Sequence, residues 1–267
     1  MPHSLEVFRA GPPDSRRPPV LFIHGSSCGG WVWAEHFMPF FAERDFLCVA
    51  PSFRGHGNSP GRDRLNDFSV DDYVEDVRLV ARELGARPLV VAHSLGAQVA
   101  ERLAAHQEFE AVALLAPVSP FGLVTSTLQL AVQEPGLLAR LAFAPILGPQ
   151  TIDPDAAARA LFSDALEPAL KRRYLTSFQL ESTRVAFELS AQSWFPRVPR
   201  RLGGLVIGGE RDVLIPRFEL ERTAAAYGAK LEVIAGANHV LMLDTCWRDV
   251  ATRVASFFEA HLAARAA

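Results

Sequence analysis

Lysine is almost missing from this 267-residue chain: 27 basic residues include only Lys171 and Lys230 as lysines, and 30 acidic residues bring the net charge to −3. No block of like charge occurs, so the chain lacks the electrostatic footprint of a protein that binds nucleic acid or an anionic membrane surface. Cysteine is also scarce. Cys28, Cys48 and Cys246 are odd in number and widely spaced, with no C-x-x-C pair and no histidine at zinc-ligand spacing, which excludes a disulfide scaffold and a zinc ribbon and reads as three reduced, packed thiols. No uninterrupted apolar run is long enough to span a bilayer: the richest stretch, Leu137 to Leu147, is broken by Arg140 and Pro145. The opening residues carry no apolar signal-peptide core. The expectation is a soluble, cytoplasmic chain without stable membrane insertion, with homo-oligomerisation left open.

What is plentiful is apolar surface. At 49% hydrophobic residues, a chain of this length can remove about 70–75% of its unfolded surface from water. Short apolar runs suited to buried parallel strands recur at 20–23, 46–50, 89–92, 111–115, 205–207 and 231–234. Segments of helical period lie between several of them. One carries Val70, Tyr73, Val74, Val77, Val80, Ala81 and Leu84 on a single face, opened by Ser69 and Asp72 as a capping box. Strand–helix alternation of this kind predicts an α/β protein with a mostly parallel, doubly wound sheet and functional loops at the carboxyl ends of its strands. Between Phe121 and Arg201 the alternation stops, the pattern turns helical, and seven prolines punctuate it. The expected organisation is therefore a core in two parts, residues 1–120 and 201–267, with an inserted helical cap at 121–200. The segment from Trp247 to Leu262 reads as an amphipathic helix closing the core.

The stretch Ala92-His93-Ser94-Leu95-Gly96 follows the run ending at Val91 and leads into a helical pattern. A serine pinched between strand and helix and flanked by small residues is how a chain exposes a nucleophilic hydroxyl. Ala92 replaces the first glycine of the usual G-x-S-x-G, and its single methyl group still permits a tight turn. A serine hydroxyl needs a base within hydrogen-bond reach and a third group to orient that base. Asp212 follows the run at 205–207 and His239 follows the run at 231–234, in the chain order Ser, Asp, His that such a turn requires. Glu210 is the neighbouring alternative for the acid, and His24 and His56 are rivals for the base. For a developing oxyanion, backbone N–H donors are expected from Leu95 at the helix start and from Ser26 in the glycine-bearing loop His24 to Gly30.

Together these residues resemble the α/β-hydrolase superfamily, in particular its ester- and lipid-hydrolase-like members with a helical cap. The segment His24-Gly25-Ser26-Ser27-Cys28-Gly29-Gly30 is similar to the family's oxyanion loop, and Arg54-Gly55-His56-Gly57-Asn58-Ser59 to the loop after its fourth strand. Ser52 stands where the family often has a structural aspartate, a departure that bears on how Arg54 is paired. The resemblance implies a mechanism in which Ser94 attacks an acyl carbonyl, His239 takes its proton, Asp212 holds the imidazole, and water releases the acyl group, with no metal or organic cofactor. Serine in place of an aspartate nucleophile points away from the haloalkane-dehalogenase and epoxide-hydrolase branches. The expected partner is a small-molecule ester with an apolar acyl or aryl group, met by Trp31, Phe53, Phe121, Leu128 and Phe143. A thioesterase, a lactonase, a hydrolase of carbon–carbon bonds and a ligand-binding receptor that retains the fold are the competing readings.

Overall fold

The computed structural model describes residues 5–106, 109–140, 153–191 and 202–266. Seven strands form one sheet in the order β1-β3-β2-β4-β5-β6-β7. These are β1 (Val7–Ala10), β2 (Val20–Ile23), β3 (Cys48–Pro51), β4 (Leu89–His93), β5 (Ala111–Leu115), β6 (Leu205–Gly209) and β7 (Lys230–Ile234). All neighbours pair in parallel except β1, which runs antiparallel to β3. The six apolar runs are the six parallel strands, displaced by one or two residues at their ends. β1 had no comparable signal, because an edge strand with Arg9 exposed needs no continuous apolar run.

The runs are continuous because both faces of the sheet are covered. Val20, Phe22, Val91, Ala113 and Ile207 pack to one side, while Leu21, Ile23, Val90, Ala92, Leu114 and Val206 pack to the other. The first face carries α1 (Trp31–Ala34), α2 (Phe37–Ala42) and the C-terminal helix, α10 (Trp247–Ala266), through Phe37, Phe41, Val254 and Phe258. The second carries α3 (Val70–Glu83), α4 (Leu95–Leu103) and α9 (Arg217–Tyr227), through Val74, Val77, Val99 and Leu220. Each such side chain taken fully from water contributes roughly 1.5–3 kcal/mol. The helix expected from Ser69 is present with its capping box complete: Ser69 Oγ accepts from Asp72 N–H, and the Asp72 carboxylate accepts from Ser69 N–H at 2.9 Å.

Between β5 and β6 the chain leaves the sheet for α5 (Val124–Gln133), α6 (Pro154–Leu161), α7 (Pro168–Leu175) and α8 (Thr183–Ala191). No strand occurs there among the described residues. Proline opens α6 and α7, where the missing N–H would have no intrahelical acceptor. No helix among the described residues is long and apolar enough to cross a membrane. The cysteines are free thiols: Cys28 and Cys48 are buried and Cys246 is half-buried, and burial pushes the Cys48 and Cys246 thiols up to about 12.

Candidate active site

Ser94 follows β4 directly and caps α4 with φ 50° and ψ −117°, a positive-φ conformation that only four non-glycine residues of the described chain adopt. Such a geometry costs on the order of 1–3 kcal/mol and persists only where its surroundings fix it. Here three backbone hydrogen bonds do so. Ser94 N–H donates to Leu115 O at 3.0 Å, and Ser94 O accepts from Ala97 N–H at 3.0 Å and Val118 N–H at 3.1 Å. Gly96 supplies the room: a Cβ on it would stand 2.6 Å from Ile23 O and 2.7 Å from His24 O. Ala92, in the position of the missing glycine, is fully buried in β4. The last glycine of the motif is thus the one that close packing demands, and the first is dispensable.

Asp212 and His239 emerge from the carboxyl ends of β6 and β7 and meet there. His239 Nδ1 lies 2.8 Å from Asp212 Oδ2, with both residues buried. The other carboxylate oxygen, Oδ1, accepts from Leu214 N–H at 2.8 Å and Ile215 N–H at 2.9 Å, so the loop after β6 fixes the acid. An acid that only accepts sets the imidazole tautomer: Nδ1 carries the hydrogen and Nε2 keeps its lone pair. Glu210 is turned away and accepts from Gly236 N–H at 2.9 Å. His93, next to Ser94, ties the two strand ends together, since its Nε2–H donates to His239 O at 3.2 Å and the two rings lie 4.8 Å apart. Burial, followed by the neighbouring His239, holds the His93 imidazole well below its ordinary range, hence neutral.

The two rival histidines are engaged elsewhere. His24 is fully buried, donates from Nδ1 to Gly25 O at 2.7 Å and accepts at Nε2 from Phe53 N–H at 3.0 Å. Burial, then His56, lowers its pKa to about 3. His56 lies with Nε2 3.4 Å from a Glu181 carboxylate oxygen. The loop after β2 runs close beneath the serine: a Cβ on Gly25 would stand 2.6 Å from His93 Nδ1 and 3.0 Å from Ser94 Cβ. That approach brings the Ser26 peptide beside the elbow, while Leu95 N–H, at the first position of α4, has no intrahelical acceptor. Arg54, whose pairing the Ser52 departure put in question, is fully engaged by α3. It donates to Asp76 Oδ1 at 2.7 and 3.0 Å and to Asp72 Oδ1 at 3.0 Å. Ser52 itself donates to Glu6 Oε2 at 2.6 Å and accepts from Gly30 N–H at 2.9 Å, so β1's neighbour Glu6 supplies a carboxylate at this turn.

The residues expected to meet substrate separate. Trp31 is half-buried, with Tyr174 stacked at 6.5 Å and Phe178 edge-on at 5.8 Å. Phe121 is half-buried beneath the Arg222 guanidinium, 4.5 Å above its ring. Two expectations of a pocket wall need correction. Phe53 is a core residue, fully buried between Tyr73, stacked at 4.6 Å, and His24 at 3.9 Å. Leu128 points outward on α5 and is 63% exposed. Phe143 lies outside the described residues. Sequence reading missed the polar groups that join the inserted segment to the site: Glu181, Gln179 and Tyr73 at the loop after β2, and Ser163 with Asp244 at the loop after β7. Ser163 N–H and Oγ–H each donate to Asp244 at 2.6 Å. No local pattern marks these residues, because each finds its partner more than 80 positions away.

A model of the Alpha/beta hydrolase family matches residues 20–253, and the chain belongs to that family. Among curated proteins, Lipase LipV of Mycobacterium tuberculosis is 33% identical over 114 residues, covering 42% of this chain and 40% of that protein. Epoxide hydrolase 1 of Caenorhabditis elegans is 33% identical over 101 residues, covering 38% and 24%. The chain thus spans well under half the length of either. Over nearly its whole length the fold is similar to that of BpoC from Mycobacterium tuberculosis H37Rv, with a TM-score of 0.77, 23% identity and coverage of 98% of this chain and 97% of the other.

Proposed function

We propose that this protein is a serine hydrolase of carboxylic esters that works through an acyl-enzyme. The observation that carries the reading is the buried His239–Asp212 hydrogen bond of 2.8 Å, tied through the contact of His93 with His239 to Ser94, the residue after His93, held on a positive-φ turn. In the proposed reaction His239 Nε2 takes the Ser94 hydroxyl proton as Oγ attacks the acyl carbonyl, and Asp212 stabilises the imidazolium. The N–H groups of Ser26 and Leu95 receive the oxyanion, at a helix terminus whose dipole favours negative charge. His239 then returns the proton to the leaving alcohol and activates the water that releases the acid.

Serine chemistry separates this reading from epoxide opening. Attack of a hydroxyl on an epoxide would leave an ether on Ser94, which has no carbonyl for water to attack, whereas attack on an ester leaves a hydrolysable acyl group. The inserted helices form the proposed cap, and the half-buried rings of Trp31 and Phe178, with Trp31 stacked on the buried Tyr174, favour an apolar acyl or aryl substituent. Hydrolysis of p-nitrophenyl esters of graded acyl length, with fluorophosphonate labelling located by mass spectrometry, tests the proposal. Wild type is expected to label at Ser94 and to turn over at least one ester. Ser94→Ala and His239→Ala are each expected to lose a factor of about 10⁵–10⁶ in rate, with Asp212→Ala milder. A wild-type protein that neither labels nor hydrolyses any ester of the series would exclude this function.

A further inference from the structure

Ser27 follows the proposed oxyanion donor and holds φ 63°, a left-handed conformation that costs a non-glycine residue roughly 1–2 kcal/mol. The inserted segment holds this residue by both its N–H and its carbonyl. Gln179 N–H donates to Ser27 O at 2.8 Å, and Ser27 N–H donates to Glu181 Oε2 at 3.3 Å. The carboxylate is itself fixed, because Glu181 Oε1 accepts from Tyr73 Oη–H at 2.8 Å and from Ser182 N–H at 2.7 Å. Gln179 is anchored as well: its Oε1 accepts from Gly57 N–H at 3.0 Å. Burial works against a charge on Glu181, yet His56 and the hydrogen bonds from Ser182 and Tyr73 hold the carboxyl below its usual range. An ionised, nearly enclosed carboxylate 3.3 Å from the backbone of a strained loop is more than is needed to attach one segment to another.

We propose that Glu181 is a positioning residue for ester hydrolysis, setting the Ser26–Ser27 backbone so that the Ser26 N–H points at the oxyanion. The inference rests on the serine-hydrolase reading above. Hydrogen-bond donors stabilise an oxyanion only when aimed where its charge develops, and the loss of one such donor costs about 10²–10³ in rate. Glu181 contributes at one remove, by fixing the Ser26–Ser27 peptide, the neighbour of the Gly25–Ser26 peptide that carries the donor. The segment that roofs the site thereby also completes it.

Glu181→Gln isolates this contact. The amide oxygen can still receive Tyr73 and Ser182, but the NH₂ group then faces Ser27 N–H, donor against donor. With a p-nitrophenyl ester, kcat is expected to fall about tenfold to a hundredfold while KM changes little. The inhibition constant of an alkyl trifluoromethyl ketone, which forms an oxyanionic adduct with the serine, is expected to rise by the same factor. Glu181→Asp keeps the charge beside His56, guards against a folding failure of the first variant, and is expected to recover part of both losses. A folded variant matching wild type in kcat and ketone affinity, or one losing only KM, would overturn the proposal while leaving the hydrolase reading intact. Absence of labelling and turnover in wild type would overturn both.

Discussion

Ser94 sits in a backbone conformation that glycine would adopt without strain, and the chain places a side chain there regardless. If the strain serves to present the hydroxyl, removing the side chain should release stability as activity is lost. Ser94→Gly is therefore expected to be more stable than Ser94→Ala by about 1 kcal/mol, although glycine normally loses more entropy on folding than alanine. Urea unfolding of the two variants measures the difference, and equal or reversed midpoints would show that φ 50° is unstrained. At this scale the sequence was legible where chemistry leaves a local signature. Ser94 stood between a strand and small residues, while Asp212 and His239 each followed an apolar run. Glu181 was not legible, since its role depends on Ser27, 154 positions earlier. Phe53 was misread for the same kind of reason: nearness to a strand end does not say whether a ring faces a cavity or, as here, Tyr73 and His24.

Helix α3 shows how much an element's sequence can specify when propensity, pattern and cap agree. Its buried face, Val70, Tyr73, Val74, Val77, Val80 and Ala81, repeats at helical spacing, and its first turn is closed by the reciprocal Ser69–Asp72 bonds. Ser69→Ala is expected to cost about 1 kcal/mol, read as a lowered thermal midpoint. Asp72→Ala should cost more, because Asp72 also receives Arg54 Nη1. Equal effects would mean that the Arg54 pair, which is partly exposed, adds nothing. The parallel strands were equally plain, each a run made apolar by burial on both faces. β1 was hidden because an edge strand is defined by the hydrogen bonds it finds on β3, and its residues carry no pattern of their own.

For the whole molecule, buried neutral histidines tie stability to pH. In the unfolded chain His24 and His93 protonate near pH 6.5, whereas the fold holds His24 neutral down to about 3 and His93 neutral well below its ordinary range. Above pH 6.5 both are neutral in both states and the fold keeps its full stability. As pH falls below that value, the unfolded chain binds protons that the fold refuses, and stability is lost by up to about 2.7 kcal/mol per pH unit for the pair. Urea midpoints between pH 7.5 and 5 should therefore drop, and His24→Gln should shallow the slope; an unchanged slope would mean that His24 is not neutral in the fold. The whole-molecule plan was legible because strand runs, helical period and the proline-punctuated interval occupy separate stretches of the chain. The contacts between inserted segment and core were not. Those contacts limit how the protein can be re-engineered. A segment grafted here to change substrate preference, if it lacked a carboxylate at position 181 and a hydroxyl at position 163, would leave Ser27 N–H and Asp244 without those partners. It would inherit a new pocket over a slackened catalytic floor, so a productive chimera must carry both junctions with it.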